Sequence, residues 1–284
     1  MALVFVPTPL GNLRDVTLRA LDVLRDAPLI VAEDSRVARR LLSAYELPGR
    51  EIWTYHEHNA ATATTAILER ARAGLVAVVT DAGMPGISDP GSALVAAARA
   101  AGVAVEVLPG PSALTAAAVL SGFDVRRFTF EGFPPRTAGG RRKALRAAAA
   151  RSEPSVWYEA PHRIRGTLKD LADVAPAARI FLLREYTKLH EQQIAGTASE
   201  VAAALGDPVR GEIAFVLEPS VAAQAPPPAP ASGELDGEID ALLASGVSTS
   251  AAAKLLADRG RGERRHLYAR VSARRRAGQG DGEA

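Results

Sequence analysis

The sequence predicts an α/β protein built as two successive blocks and a small helical extension. Three observations carry this. Short apolar runs alternate with helical patterns from residue 3 to residue 217, the pattern of a sheet covered by helices. The run Ala225-Pro226-Pro227-Pro228-Ala229-Pro230 then breaks all periodicity, as an extended linker does. Beyond it only short amphipathic helical patterns remain.

In chain order, residues 3–6 form a short buried strand that stops at Pro7, and residues 16–24 place apolar side chains at helical spacing. A strand over 29–32 precedes a basic helix over 35–42, with Ser35 as its cap. A strand is expected over 52–55, a helix over 60–73 and a strand over 75–79, followed by a glycine-rich loop and a helix from Ser92. A strand over 103–108 and a helix over 111–120 close the first block. Repeated βα units of this kind imply a mainly parallel sheet. The second block offers strands at 128–130, 156–158, 180–183 and 213–217, separated by helices at 140–150, 162–174 and 198–205. After the linker come helices at 235–243, at 249–257 with Ser248 as cap, and at 264–275. The resulting division is 1–122, 123–220, a Pro/Ala-rich linker over 221–233, a basic helical extension over 234–276 and a disordered tail over 277–284.

Among 284 residues there is no cysteine, so disulfides, zinc–thiolate sites and thiol catalysis are excluded, and a reducing cytoplasm is expected. The N-terminus lacks a basic segment and meets Pro7 and Pro9 early, so no signal peptide is expected. No run reaches the ~18 apolar residues of a membrane span. The net charge is +2, yet 254–276 carries nine Lys/Arg against Asp258 and Glu263, and 126–151 carries eight against Glu131. Each segment is therefore +7, which leaves −12 for the rest of the chain. Two basic segments on an otherwise acidic chain point to a polyanionic partner, or else to solvated helix faces.

The stretch from Thr80 to Gly91, Thr-Asp-Ala-Gly-Met-Pro-Gly-Ile-Ser-Asp-Pro-Gly, holds three glycines and two prolines. It follows a buried strand directly, and that edge of an α/β sheet is where ligands bind. Asp81 and Asp89 flank it, so a cationic or hydroxyl-rich ligand suits it better than phosphate. The loop 7–13 follows the first strand. Pro109-Gly110-Pro111-Ser112-Ala113 leads into a helix whose first N–H groups are free for ligand oxygens. There is no Gly-x-Gly-x-x-Gly and no Gly-Lys-[Ser/Thr], so dinucleotide and P-loop sites are disfavoured. His56 and His58 form a His-x-His pair and His162 follows Pro161, but no matching metal-ligand set accompanies them.

Taken together, nine short motifs resemble a known family: Pro7-Thr8-Pro9-Leu10-Gly11-Asn12-Leu13, Ala32-Glu33-Asp34-Ser35-Arg36, Tyr55-His56-Glu57-His58-Asn59, the 80–91 loop, Leu108-Pro109-Gly110-Pro111-Ser112-Ala113, Phe130-Glu131-Gly132-Phe133, Tyr158-Glu159-Ala160-Pro161-His162-Arg163-Ile164, Arg184-Glu185-Tyr186-Thr187-Lys188 and Gly211-Glu212-Ile213-Ala214. They are similar to the tetrapyrrole-methylase-type, class III methyltransferases. Within these they look most like the branch that methylates a cytidine ribose 2′-oxygen in the decoding centre of 16S rRNA.

The resemblance implies two α/β domains with S-adenosylmethionine in the cleft between them, no metal, a homodimer, and small-subunit rRNA as partner. It implies cofactor contacts from Leu10, Gly11, Asp81, Ala82, Gly83, Ile87, Ser112, Ala113 and Ala214. A ribose hydroxyl is a poor nucleophile until its proton leaves, so a general base or an alkoxide-stabilising cation is expected. Asp34, Glu33 and Lys188 are the candidates, with Asp34 equally able to act as a helix cap. Arg36, Arg141, Arg142, Lys143, Arg264, Arg265, Arg274 and Arg275 are the candidate RNA contacts. Trp53, Tyr55, Trp157 and Tyr158 fit either a subunit interface or the core. Two other readings remain: an enzyme of the same fold acting on a tetrapyrrole or protein side chain, and a non-enzymatic RNA-binding protein.

Overall fold

A computed structural model describes residues 2–47, 49–56, 58–89, 91–219, 232–259, 261 and 264–280. The chain separates into two compact units, Met1–Ser220 and Val221–Ala284.

The first unit opens with β1 (Ala2–Phe5), α1 (Leu18–Asp26), β2 (Leu29–Ala32), α2 (Ser35–Ala44), β3 (Glu51–Thr54), α3 (Ala60–Ala73), β4 (Leu75–Val79), α4 (Gly91–Ala100), β5 (Val105–Val107) and α5 (Ala113–Leu120). The five strands form one parallel sheet in the order β3-β2-β4-β1-β5. Strand residues alternate between two cores. Leu3, Phe5, Leu29, Val31, Val76 and Val78 meet Ile67, Leu68 and Ala71 of α3 and Leu94 and Ala98 of α4. Val4, Val6, Ile30, Ala32, Ala77 and Val79 meet Ala20 and Leu24 of α1 and Ala38 and Leu42 of α2. Burial on both faces is why these strands read as continuous apolar runs rather than as alternation. Each large side chain so buried stabilises the fold by roughly 1.5–3 kcal/mol.

The second half of this unit comprises β6 (Thr129–Gly132), α6 (Ala138–Ala149), β7 (Ser155–Glu159), α7 (Ile164–Val174), β8 (Arg179–Arg184), β9 (Gln192–Thr197), α8 (Ala198–Ala204) and β10 (Ile213–Leu217). Its sheet order is β6-β7-β10-β8-β9. Only β6 and β7 are parallel; β10 runs antiparallel to both β7 and β8, and β9 antiparallel to β8. The sequence does not reveal β9, because Ile194 is its single large apolar residue and the strand lies at the sheet edge.

Two further features depart from the sequence expectation. Helix α5, counted with the first block, packs Ala117 and Ala118 onto Val156, Phe181, Leu183, Ala214 and Val216 of the second sheet. Trp157 is 1 % exposed and stacks on Phe215 with ring centroids 6.0 Å apart, its Nε1 donating to Ser155 Oγ at 2.8 Å. Trp157 is therefore domain core and not interface.

The second unit holds α9 (Ser232–Ala244), α10 (Thr249–Asp258) and α11 (Arg264–Gly280) around Leu235, Ile239, Ala252, Ala253, Leu256, Leu267 and Val271. Ser248 caps α10, its Oγ accepting from the Ala251 amide. Residues 220–231, most of the expected linker, lie outside the described residues, and 232 and 233 already belong to α9. Helix α11 runs to Gly280, past the expected start of the tail at 277; residues 281–284 lie outside the described residues. Among the described residues no helix is long and apolar enough to cross a membrane.

Candidate active site

The loops that leave the C-terminal ends of β1, β2 and β4 gather at one sheet edge. Thr8, 1 % exposed, ties two of them together. Its N–H donates to Gly83 O at 2.9 Å, its C=O accepts from Gly83 N at 3.0 Å, and its hydroxyl donates to Thr80 O at 3.2 Å. Gly83 has φ of +81°, and a Cβ there would meet Leu10 Cδ2 at 3.0 Å, so the position favours glycine on both counts. The Gly83 N–H is spent on Thr8, while its carbonyl, which accepts from the Thr8 amide, keeps a second lone pair. Asp89 braces the same loop from within, accepting from the Gly86 amide at 2.8 Å and the Gly91 amide at 2.9 Å.

A cavity of about 420 Å³ opens beside these loops, within the ~300–1,000 Å³ typical of small-molecule sites. Acidic residues line it from both sheets, Glu33, Asp81 and Asp89 from the first sheet's loops and Glu159 and Glu212 from the second. Apolar and aromatic residues line it too, among them Phe133, Tyr158, Leu183, Tyr186, Ile213 and Ala214. The antiparallel placement of β10 between β7 and β8 is what brings Glu159 and Glu212 to the same sheet edge: Ile213, next to Glu212, pairs with both Glu159 and Arg184.

The three candidate catalytic residues separate clearly. Asp34 caps α2, accepting from the Arg36 amide at 2.7 Å and pairing with the Arg36 guanidinium at 2.6 Å. The Arg36 side chain first, and then its backbone amide, hold Asp34 far below the usual carboxylate range. A carboxylate so stabilised is a weak base, so Asp34 is a cap, and the expectation that Ser35 caps this helix is corrected. Glu33 does line the cavity, with Thr80 Oγ1 donating to it at 3.2 Å. Burial, and then the neighbouring Asp81, push its carboxyl up. Asp81 is raised too, by burial first, with Asp34 and Glu212 adding to the shift against the pull of the Asp34 amide.

Lys188 does not line the cavity; its Nζ lies 2.9 Å from Glu185 Oε1 and 3.0 Å from Glu212 Oε2. Burial pulls its pKa down, but these two carboxylates outweigh that and the ammonium titrates above its ordinary range. Lys188 is thus a fixed cation and no base at neutral pH. The turn that carries it is tight, with Glu185 at φ +51° and Thr187 at φ +65°. Gly211 leaves room for it, since a Cβ there would collide with the Glu185 side chain.

Of the expected cofactor contacts, Leu10, Asp81, Ala82, Gly83, Ile87, Ala113 and Ala214 line the cavity, whereas Gly11 and Ser112 do not. Gly11 packs on Lys188, and Ser112 is the N-cap of α5, its carbonyl accepting from the Ala116 amide. Sequence reasoning missed Met84, Phe133, Tyr158 and Glu159 as wall residues, although all four sit in quoted motifs.

The candidate RNA contacts also divide. Arg141 and Arg142 both bind Asp170, at 2.6 and 2.7 Å, and Arg141 is only 13 % exposed. They tie α6 to α7, which takes the mostly buried Arg141 away from solvent, while Arg142 and Lys143 stay exposed. Arg274 pairs with Asp240 at 2.8 Å and Arg275 donates to Thr249 Oγ1 at 3.3 Å. Arg264 and Arg265 are exposed, and Arg36 is exposed although it pairs with Asp34. Among the described residues no group of three or more His, Asp or Glu is arranged to hold a metal ion.

Comparison with known proteins agrees with this architecture. Residues 2–202 match the family described as Tetrapyrrole (Corrin/Porphyrin) Methylases. Ribosomal RNA small subunit methyltransferase I of Neisseria meningitidis serogroup B is 42% identical over 219 residues, covering 76% of this chain and 75% of that protein. The protein of the same name from Synechocystis is 39% identical over 271 residues, covering 94% of this chain and 95% of that one. Two solved structures share the fold. Diphthine synthase superposes with a TM-score of 0.61 at 16% identity, covering 77% of this chain and 90% of its own. Uroporphyrin-III C-methyl transferase from Thermus thermophilus, complexed with S-adenyl homocysteine, gives 0.57 at 22% identity, covering 77% of this chain and 97% of its own. The chain belongs to the tetrapyrrole methylase family, in the branch of the ribosomal RNA small subunit methyltransferases I.

Proposed function

We propose that this protein transfers a methyl group from S-adenosylmethionine to 16S rRNA of the small ribosomal subunit, at the ribose 2′-oxygen of a decoding-centre cytidine. The observation that carries the reading is the cavity itself, whose lining combines carboxylates with apolar and aromatic side chains. Glu33 and Asp81 supply a field that favours a sulfonium cation. Leu10, Ala82, Ile87, Ala113 and Ala214 supply apolar surface, and the absence of a side chain at Gly83 leaves Leu10 in place. When bound, S-adenosylmethionine supplies an electrophilic methyl group. The chain's own contribution is to position the acceptor oxygen and receive its proton. Glu33 is the residue for that proton, because Asp34 is locked to Arg36 and Lys188 to two carboxylates. Lys188 lends its charge to the cavity wall through Glu212.

Homology at about 40% identity with proteins named for small-subunit rRNA supports the substrate class. The exposed Lys143, Arg264 and Arg265 support a polyanionic partner. A polycarboxylate tetrapyrrole would meet Glu33, Asp81 and Asp89 in this cavity, which disfavours that rival. A cytoplasmic homodimer belongs to the same reading, since pairing would set two basic surfaces on one particle; sedimentation at twice the 29.7 kDa chain mass tests it. Calorimetric titration with S-adenosylmethionine tests the site itself. Saturable one-site binding is expected, and its absence would leave only the non-enzymatic RNA binder.

A further inference from the structure

We infer that Phe133, braced edge-on by Tyr158, forms a stacking shelf for the base of the acceptor nucleotide, and that Arg163 and Glu159 hold the shelf in position. This deepens the rRNA reading above and rests on it.

Phe133 lies just past β6, lines the cavity and is 51 % exposed. Its position at the cavity wall leaves the ring face open to a ligand. Its ring meets Tyr158 edge-on with centroids 5.9 Å apart, and Tyr158 meets Phe130 at 5.0 Å. Tyr158 is anchored at the end of β7, and Phe130 packs with the core beneath α5. The shelf therefore has a rigid inner part and one open ring.

The segment carrying Phe133 is held from one side. Arg163 Nη2 donates to Pro134 O at 2.5 Å and to Pro135 O at 3.3 Å. Its Nε lies 3.3 Å from Glu159 Oε1, and the Glu159 side chain is wholly buried. Glu159 also accepts from the Ala160 amide at 2.8 Å and from Thr167 Oγ1 at 2.5 Å. Every donor on this carboxylate is thus accounted for by scaffold, so Glu159 acts through Arg163 rather than on substrate, and both are positioning residues.

The chemistry of the wall selects the occupant. Glu33, Asp81 and Asp89 line the cavity, so phosphates are repelled from it and remain with the basic surfaces outside. What enters is the uncharged part of a nucleotide, its ribose and base. Single-stranded RNA bases are commonly read by stacking on aromatic side chains. A splayed-out base stacked on Phe133 would hold its own ribose within the cavity that Glu33 lines.

The test uses the full-length enzyme, small ribosomal subunits lacking the modification, and labelled S-adenosylmethionine. Phe133→Ala should raise KM for subunits roughly ten- to hundredfold with the dissociation constant for S-adenosylmethionine unchanged. Phe133→Tyr should behave as wild type, and Phe133→Leu, similar in bulk but without a ring, should behave as Phe133→Ala. Arg163→Gln should raise the same KM, and in the Phe133→Ala background should add nothing further. Two results would overturn the inference: kinetics of Phe133→Ala equal to wild type, or weakened S-adenosylmethionine binding with KM for subunits unchanged, which would make the shelf the adenine's. Wild-type enzyme transferring no label to subunits would overturn the rRNA reading itself, and the inference with it.

Discussion

Gly11 lies so close to the side chain of Lys188 that a Cβ at position 11 would overlap the lysine Cγ. The two residues belong to loops of different sheets, and the Asn12 amide reinforces the contact by donating to Thr187 Oγ1 at 3.0 Å. Gly11→Ala should therefore push Lys188 off Glu185 and Glu212. Overpacking of this kind costs about 1–3 kcal/mol. We expect a roughly tenfold or greater fall in kcat, with subunit binding nearly unchanged, because the loss falls on the cavity wall and not on the basic surfaces. A variant with wild-type kcat would show that the loop contact has no bearing on catalysis.

Glu33 gives a pH signature of definite sign. Burial, then Asp81, raise its carboxyl above 4.5, so the ionised form is lost at a higher pH than for an ordinary glutamate. Affinity for cationic S-adenosylmethionine should fall as pH drops through that raised value, while S-adenosylhomocysteine, neutral at sulfur, should respond less. Glu33→Gln should flatten the difference. The same shift means the folded state binds the proton more tightly than the unfolded state, so stability declines as pH rises through the folded value. Glu33→Gln should thus raise the melting temperature at neutral pH and lose that gain in acid. Parallel pH profiles for the two ligands in wild type would contradict the field assigned to this carboxylate.

Asp170 should matter to stability and not to RNA. Burial alone would raise its pKa, but Arg142 and Arg141 outweigh it and hold the carboxyl below its usual range. That contribution is fully present above about pH 3.8 and fades as pH falls through the folded value. Asp170→Ala strands the mostly buried Arg141 and should cost about 3 kcal/mol, or on the order of 6–12 °C in melting temperature. Arg141→Ala should destabilise likewise and leave the salt dependence of RNA binding intact. A weakened RNA complex with an unchanged melting temperature would restore Arg141 as a phosphate contact.

On α11 the arginines should behave as two classes. Leu267 and Val271 face the core of the second unit, and Arg270 and Arg274 pair with Asp236 and Asp240. Arg264, Arg265, Tyr268, Arg275 and Arg276 are exposed, and helical spacing gathers them within one arc. Neutralising Arg264 and Arg265 together should reduce the salt slope of RNA binding by roughly 1 per arginine. Arg274→Gln should leave the slope alone. Equal effects from both sets, read from filter-binding at several salt concentrations, would contradict this division.

Much of the site was legible because loop chemistry is local. The apolar run 75–79 followed by glycines and prolines located the loop that lines the cavity with Asp81, Ala82, Gly83 and Ile87. What escaped was convergence from elsewhere. Tyr158, Glu159 and Glu212 meet because β10 threads antiparallel between β7 and β8, and Phe133 joins them through the parallel pairing of β6 with β7, which no periodicity reveals. Spacing places Gly11 and Ser112 near the cleft but not on which side of the loop they stand. A charge run cannot disclose that Arg141 has Asp170 for a partner, 29 residues away. The edge strand β9 hid for a simpler reason, since one large apolar residue in six leaves no pattern.

The most direct measurement of the central claim is methyl transfer from labelled S-adenosylmethionine to small ribosomal subunits lacking the modification, followed by digestion of the RNA to nucleosides. The account predicts label in a single nucleoside, 2′-O-methylcytidine, with far less transfer by Glu33→Gln than by wild type. Label on a base or in protein, or no transfer to RNA while a tetrapyrrole is methylated, would contradict it.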